Sequence, residues 1–246
     1  MTPVLEVRDI KKSFGAVEAL RGAELLCPAG EVTALVGDNG AGKSTLIRCI
    51  TGVHAPNSGT ICFRGEAISF TSPTDARARG IETVYQDLAL VEDLSVWQNM
   101  YLNRELTSGF GPFRRLARRR MIEETQARLG RLLVNMPPVR AKVRRLSGGQ
   151  RQSIAIGRAA SWGSSLVIMD EPTAALGLRE RAAVETLIGN LRREGIAQLI
   201  ISHDLEQVMR ISDSIWVMRG GRTIANWRTK DIDRTSVVGA IAGGTA

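Results

Sequence analysis

"EVTALVGDNGAGKSTLIRCITG", Glu31 to Gly52, decides how the rest of the chain is read. It opens on a short apolar run, passes through a loop of glycines and polar residues, and ends in a helical pattern closed by Gly52. Within it, Gly37 to Ser44 matches G-x-x-x-x-G-K-[ST], with the strand before and helix after that this pattern requires. The residue types are those a phosphate needs. Gly37, Gly40 and Gly42 let main-chain N–H groups converge on an anion with no side chain in the way. The helix start that follows adds a favourable dipole. Lys43 can reach the outer phosphates, and the Ser44 hydroxyl can bind Mg²⁺. The whole loop, Gly37, Asp38, Asn39, Gly40, Ala41, Gly42, Lys43, Ser44 and Thr45, is the candidate phosphate cradle.

A phosphate loop of this kind needs a metal-holding carboxylate at the tip of a nearby strand. "SLVIMDEP" supplies one, with Asp170 ending an apolar run and Glu171 next to it. Adjacent carboxylates can divide the work, Asp170 holding the metal's shell and Glu171 polarising an attacking water. His203 follows another apolar run in "LIISHD", placed to hydrogen-bond a terminal phosphate or orient the water. His54 has no such context and reads as structural.

A second stretch, "RRLSGGQRQS" from Arg144 to Ser153, has the form of another anion-holding helix start. Ser147 and Gln150 make an S-x-x-Q capping box, which puts Gly148 and Gly149 at the first two helical positions. Glycine is a poor helix former there. The cap explains Ser147 and Gln150 but not both glycines, whose gain is bare N–H groups.

The frame around these motifs is α/β. The first thirty residues read as antiparallel strands, "GTICFRG" as a strand at a sheet edge and "IETVYQ" as a buried strand. From about Leu88 to Trp162 the pattern turns helical, and "MIEETQARLGRLLV" places Glu124 and Arg128 for an i,i+4 pair. Strand signals return in "SLVIMD", "AQLIIS" and "SIWVMRGG", separated by helical segments, which indicates a parallel sheet covered on both faces. The expected fold is a P-loop core with a mostly parallel sheet, an antiparallel β subdomain at the N-terminus and an inserted helical subdomain near 87–162. All of it forms one domain over residues 1–246.

Composition bounds the function. The chain has 246 residues, 43% of them hydrophobic and 24% charged, as in ordinary globular proteins. No apolar run is long enough to span a membrane, and "MTPVLEVRDI" lacks the pattern of a signal peptide, so the chain is expected in the cytosol. Cys27, Cys49 and Cys62 form no metal-like cluster and read as reduced, buried small hydrophobes. The net charge of +8 favours a polyanionic partner. "RRLARRR", Arg114 to Arg120, carries much of it, either as a solvated helix face or as a surface near membrane headgroups.

With these residues in view, the chain resembles the ATP-binding subunit of an ABC transporter. "LSGGQ" looks like the family signature, and the order of phosphate loop, glutamine loop, "LSGGQ", "VIMDEP" and "SH" matches over nearly the whole length. The resemblance implies ATP and Mg²⁺ as ligands and two cassettes stacked head to tail. Ser147, Gly148, Gly149 and Gln150 of one chain then close over ATP held by Gly37–Thr45 of the other. It implies that Gln86 meets Mg²⁺ and couples the site to a membrane partner, so Ser44, Gln86 and Asp170 form the metal set and Glu171, His203 and Gln86 the catalytic one. Phe14 looks like the aromatic that stacks on adenine. "SPTDARARGIETVYQDLALVEDLSVWQNMYL" resembles the cassettes of bacterial monosaccharide importers of the ribose, xylose and fructose type. The implied partners are a second copy, membrane-spanning permease subunits and, indirectly, a sugar-binding protein, at the cytoplasmic face of the bacterial inner membrane. A DNA-repair or chromosome-organising ATPase shares the signature. It would carry coiled-coil or zinc insertions or a DNA-reading module, and none is present, so no nucleic-acid partner is expected. One departure stands out. The family usually reads S-A-L-D after its carboxylates, and "TAALG" places Gly177 where the aspartate would be.

Overall fold

The computed structural model describes residues 3–110, 113–133 and 135–243. The chain runs β1 (Leu5–Phe14), β2 (Val17–Cys27), β3 (Val32–Val36), α1 (Lys43–Ile50), β4 (Ser58–Phe63), β5 (Glu66–Ile68), α2 (Pro73–Ala78) and β6 (Ile81–Val84). Then come α3 (Val96–Tyr101), a two-stranded ribbon of β7 (Thr107–Ser108) and β8 (Arg115–Leu116), α4 (Arg118–Leu132) and α5 (Gly148–Ala160). The remainder alternates β9 (Leu166–Asp170), α6 (Leu178–Arg193), β10 (Ala197–Ile201), α7 (Leu205–Ile211), β11 (Ser214–Arg219), β12 (Arg222–Arg228) and α8 (Arg234–Ala242).

The apolar runs make the main sheet, in the order β12-β11-β3-β10-β9-β6. All neighbours are parallel except β12, which returns antiparallel to β11. Every residue of β3 and β10 is buried, as a strand covered on both faces requires. The pleat divides their side chains. Leu166 and Ile168 of β9 join the core under the antiparallel sheet, and Val167 and Met169 join the one under α5 and α6. The N-terminal sheet has the order β2-β1-β4-β5. The fold is thus the expected α/β one, with two local corrections. "GTICFRG" is not an edge: β4 pairs with β1 on one side and with the three-residue β5 on the other. "IETVYQ" forms β6 at the edge of the main sheet, with Ile81 and Val84 buried and Glu82 and Thr83 half-buried. The three cysteines are free and buried.

The segment between the main-sheet strands β6 and β9 has an apolar core of its own. Val96, Met100, Tyr101, Met121, Leu129, Val143 and Ile154 pack together from α3, α4, α5 and the turn before α5. "RRLARRR" is not one helix face. Arg115 and Leu116 belong to the ribbon, and α4 starts only at Arg118. Arg119 and Arg120 then pair with Glu123 and Glu124 one turn on, at 2.8 and 2.7 Å.

Glu124 ties this lobe together. It accepts from the Tyr101 hydroxyl at 2.6 Å, from Arg120 at 2.7 Å and from Arg128 at 3.3 Å. Trp162 stands edge-on to Tyr101 at 5.1 Å, with the Arg128 guanidinium 4.7 Å from its ring centre. The Tyr101 hydroxyl, with Arg120 behind it, draws the Glu124 carboxyl down to about 2. Its folded value lies below its unfolded one, so the contribution is complete above about pH 4.5 and is lost as pH falls towards about 2. Tyr101→Phe removes the first cause. The gap in urea midpoint between unmodified and Tyr101→Phe protein is therefore expected to be largest near neutral pH and to close across that acid window. A gap that does not change with pH would contradict this account.

Candidate functional site

Register brings the motifs to one end of the main sheet. Ile201 pairs with Leu35 of β3 on one side and with Asp170 of β9 on the other. The loops that leave β3, β9 and β10 therefore begin side by side, at the carboxyl ends of parallel strands where α/β proteins bind ligands. They border a cavity of about 980 Å³, lined by the whole of Gly37–Thr45 together with Gln86, Asp170, Glu171 and His203.

The phosphate loop takes its shape from its glycines. Gly37 has φ +148°, and a Cβ there would lie 2.1 Å from the Met218 carbonyl oxygen of β11. Only glycine lets the chain pass between Met218 of β11 and Ala41 of the loop. The Lys43 ammonium folds into the loop and donates to the carbonyls of Gly37 and Asp38 at 2.6 and 2.9 Å. Burial pushes its pKa down, while Glu171, Asp38 and Asp170 pull the other way. The ammonium is thus held in the middle of the loop, where its charge would favour an anion. Asp170 shows the matching effect from the acid side. Burial, and then the neighbouring Glu171 charge, raise its pKa, which a cation at the site would reverse.

Glu171 sits at φ +50°, a left-handed conformation that costs a non-glycine residue roughly 1–3 kcal/mol. Its N–H donates to the Ile201 carbonyl at 2.9 Å, which anchors the turn to β10. Its Oε1 accepts from the His203 main-chain N–H at 3.1 Å and lies 2.8 Å from His203 Nδ1. The imidazole itself is largely exposed. Behind it, Asp204 caps α7 by accepting from Gln207 N–H at 3.0 Å, and Arg181 of α6 steadies Asp204 at 3.3 Å. Thr173 joins the same frame through Gln207 at 2.7 Å. Glu171 and His203 are therefore fixed relative to one another by β10 and the start of α7.

Gln86 reaches the cavity from the loop after β6 and is exposed. That loop is tied to α5. The guanidinium of Arg158 donates to the carbonyls of Leu88 and Ala89, both at 2.9 Å. The segment carrying Gln86 is thus fastened to α5 by two hydrogen bonds.

Two placements differ from what the motifs suggest. Phe14 stands at the end of β1 with its ring edge-on to His54 at 5.1 Å, and the cavity wall on that side comes from Val17, Glu18, Ala19 and Arg21 of β2. Nothing in the alternating pattern of β2 marks these residues. They reach the site because Arg21 N–H pairs with the Gly221 carbonyl across the sheets, at 2.7 Å. The second difference concerns the glycines of the signature. The capping box forms, with Gln150 N–H donating to Ser147 Oγ at 3.3 Å and Ser147 N–H to Gln150 Oε1 at 3.1 Å. The N–H of Gly149 is not bare, however. It donates to Glu180 Oε1 of α6 at 3.2 Å. Ser147 and Gly149 border a separate cleft with Gln150, Arg179 and Glu180, not the large cavity.

Among the described residues, no group of three or more His, Cys, Asp or Glu side chains could hold a metal alone. Ser44 and Asp170 offer one hydroxyl and one carboxylate on the cavity wall. That is the sparse, hard-oxygen set which suits Mg²⁺ when phosphates and water complete the shell.

Fold and site together define a P-loop nucleoside-triphosphatase. Residues 20–174 match the family model described as "ABC transporter". The chain is 46% identical to the xylose/arabinose import ATP-binding protein XylG of Sulfolobus acidocaldarius over 91% of its length and 88% of that protein's. It is 43% identical to the fructose import ATP-binding protein FrcA of Rhizobium meliloti, over 98% and 94%. The structure of cbiO1 from Clostridium perfringens, part of an ABC transporter complex, superposes with a TM-score of 0.82 at 27% identity, covering 97% of this chain and 93% of that one. The chain belongs to the ABC transporter family, as a nucleotide-binding ATPase subunit.

Proposed function

We propose that the chain hydrolyses ATP as a pair of identical cassettes and so drives a permease that imports a monosaccharide. The observation that carries the reading is the convergence of Lys43, Asp170, Glu171, His203 and Gln86 on one cavity while the signature faces elsewhere. Ser147 and Gly149 can serve a nucleotide in such a cavity only if a second chain brings them to it. Two-fold symmetry then makes both sites alike.

In this arrangement the Gly37–Thr45 backbone and Lys43 bind the phosphates. The adenine lies towards the tip of the β1–β2 hairpin, where Phe14 and Val17 are the exposed apolar side chains. Mg²⁺, held by Ser44 and Asp170 with Gln86 beside them, would neutralise charge on the phosphates. Glu171 takes a proton from the attacking water as its oxygen bonds to the terminal phosphorus and the bond to the ADP oxygen breaks. His203 orients Glu171 and faces the terminal phosphate. ATP joins the chains because it touches both, and hydrolysis removes the bridge.

The choice of a sugar rests on the two relatives named for sugar import. The permease would dock where Tyr85, Asp87, Leu88, Arg104 and Trp162 line a groove between the Gln86 loop and the helical lobe. No described helix is long and apolar enough to cross a membrane, so attachment at the cytoplasmic face of the inner membrane would come through that permease.

The test is to purify the chain with its permease, reconstitute both in proteoliposomes, and add the sugar-binding protein with candidate pentoses and hexoses. ATP turnover is expected to rise at least about fivefold with the right sugar. Arg158→Ala, which unhooks the Gln86 loop from α5, is expected to lose most of that rise. Turnover that ignores permease, binding protein and sugar alike would overturn the proposal.

A further inference from the structure

The carboxylate of Glu180, on the first turn of α6, bonds in two directions. Its Oε2 accepts from the Gly177 N–H at 3.3 Å, and its Oε1 accepts from the Gly149 N–H of α5 at 3.2 Å. A glutamate at the third helical position that bonds back to its cap is ordinary capping. Capping explains the contact with Gly177. It does not explain the reach to another helix. The reach is built in from the α5 side, because a Cβ at Gly149 would lie 2.6 Å from the Glu180 Cβ and 2.8 Å from its Cγ. Glycine at 149 is what lets Glu180 lie across the start of α5. Gly177 is different, since a Cβ there would meet only Glu180 Oε2, at 4.0 Å. A side chain at 177 is not barred by space. The Ser147 hydroxyl and the N–H groups of Gly149 and Gly177 hold the Glu180 carboxyl below the usual glutamate value, so it is charged at neutral pH.

The N–H that Glu180 occupies is the one the two-chain reading gives to the partner's ATP. A carboxylate and a terminal phosphate are both anions and cannot share one N–H and one hydroxyl at contact distance. We propose that Glu180 is a positioning residue that stands in for that phosphate in the separated chain, and that the partner's ATP displaces it when two chains close. The inference rests on the two-chain reading. One carboxylate holds both donors, so its displacement from the Gly149 N–H also disturbs its bond to the Gly177 N–H. Arrival of nucleotide at α5 thereby loosens the Gly177 turn, which is continuous along the chain with Glu171 of the chain's own site. Glu180 thus provides a link between the two sites in a chain that lacks an aspartate at 177.

The experiment uses sedimentation over a protein concentration series, with Mg-ATP or Mg-ADP, and compares Glu171→Gln with Glu171→Gln/Glu180→Gln. Glutamine keeps the shape and one acceptor but removes the charge that opposes the phosphate. The double variant is expected to dimerise with ATP about tenfold more tightly, because the neutral amide competes less with the phosphate for the Gly149 N–H. The affinity of the monomer for nucleotide and the thermal midpoint should hold. Glu180→Asp in the same background keeps the charge and is expected to restore weaker dimerisation. If Glu180 were only a cap, its loss would weaken the dimer and lower the thermal midpoint together. That result, or unchanged dimerisation, overturns the inference while leaving the two-chain reading intact. A Glu171→Gln chain that stays monomeric at every ATP concentration removes the two-chain reading, and this inference with it.

Discussion

Glu171→Gln is expected to lower steady-state ATP turnover by roughly 10²–10⁴-fold, the contribution of a positioned general base. The side chains are nearly isosteric, and Oε1 of the amide can still accept from the His203 main-chain N–H as the carboxylate does at 3.1 Å. The left-handed turn is set by main-chain contacts, including the N–H to the Ile201 carbonyl, and these do not depend on the charge. What is lost is the ability to take a proton from water. Nucleotide affinity should hold, because Lys43 and the loop backbone are untouched. Binding without hydrolysis should then accumulate the ATP-joined pair. Phosphate release and equilibrium binding of a fluorescent ATP analogue separate the two effects. Turnover within a few-fold of the unmodified protein would show that Glu171 is not the base.

Ser147→Arg should abolish turnover by a different route. Ser147 is exposed and does not line the large cavity, so a long cationic side chain there can extend into solvent in the isolated chain. Losing the serine cap costs about 1 kcal/mol, too little to unfold a chain of this size. Between two chains the same side chain would fill the space that Ser147 and Gly149 need against the partner's nucleotide. The expected result is ATP binding close to that of the unmodified protein, no ATP-dependent dimer by sedimentation, and turnover reduced to background. Loss of ATP affinity in the monomer would mean that Ser147 belongs to the chain's own site. The two variants are therefore opposites in one assay: Glu171→Gln collects dimers and Ser147→Arg prevents them.

Much of this was legible in the chain because it is written locally. Apolar runs without alternation announce strands buried on both faces, and β3, β9 and β10 are those runs. The capping box at Ser147 and the i,i+4 pair of Glu124 and Arg128 depend on neighbours within four residues, and both form. The spacing of Gly37, Lys43 and Ser44 identifies a phosphate loop because its purpose is met by main chain and one short segment.

Strand order, by contrast, is a matter of which surfaces pack. β4 has the composition of an edge strand but is interior, because β5 covers it. Val17 and Arg21 line the cavity by virtue of the contact between β2 and the β11–β12 turn, some two hundred residues along the chain. Glu180 looks like a helix cap until α5 is laid against α6.

The α/β class, the phosphate loop, the carboxylate pair and the signature cap could be read from the chain alone, since each follows from residue types at short spacing. That the signature faces away from the chain's own cavity, and that a carboxylate already holds the Gly149 N–H, emerged with long-range packing. A main-chain donor near a helix end must find a partner. Which anion it finds depends on what long-range packing brings within 3 Å or so of it.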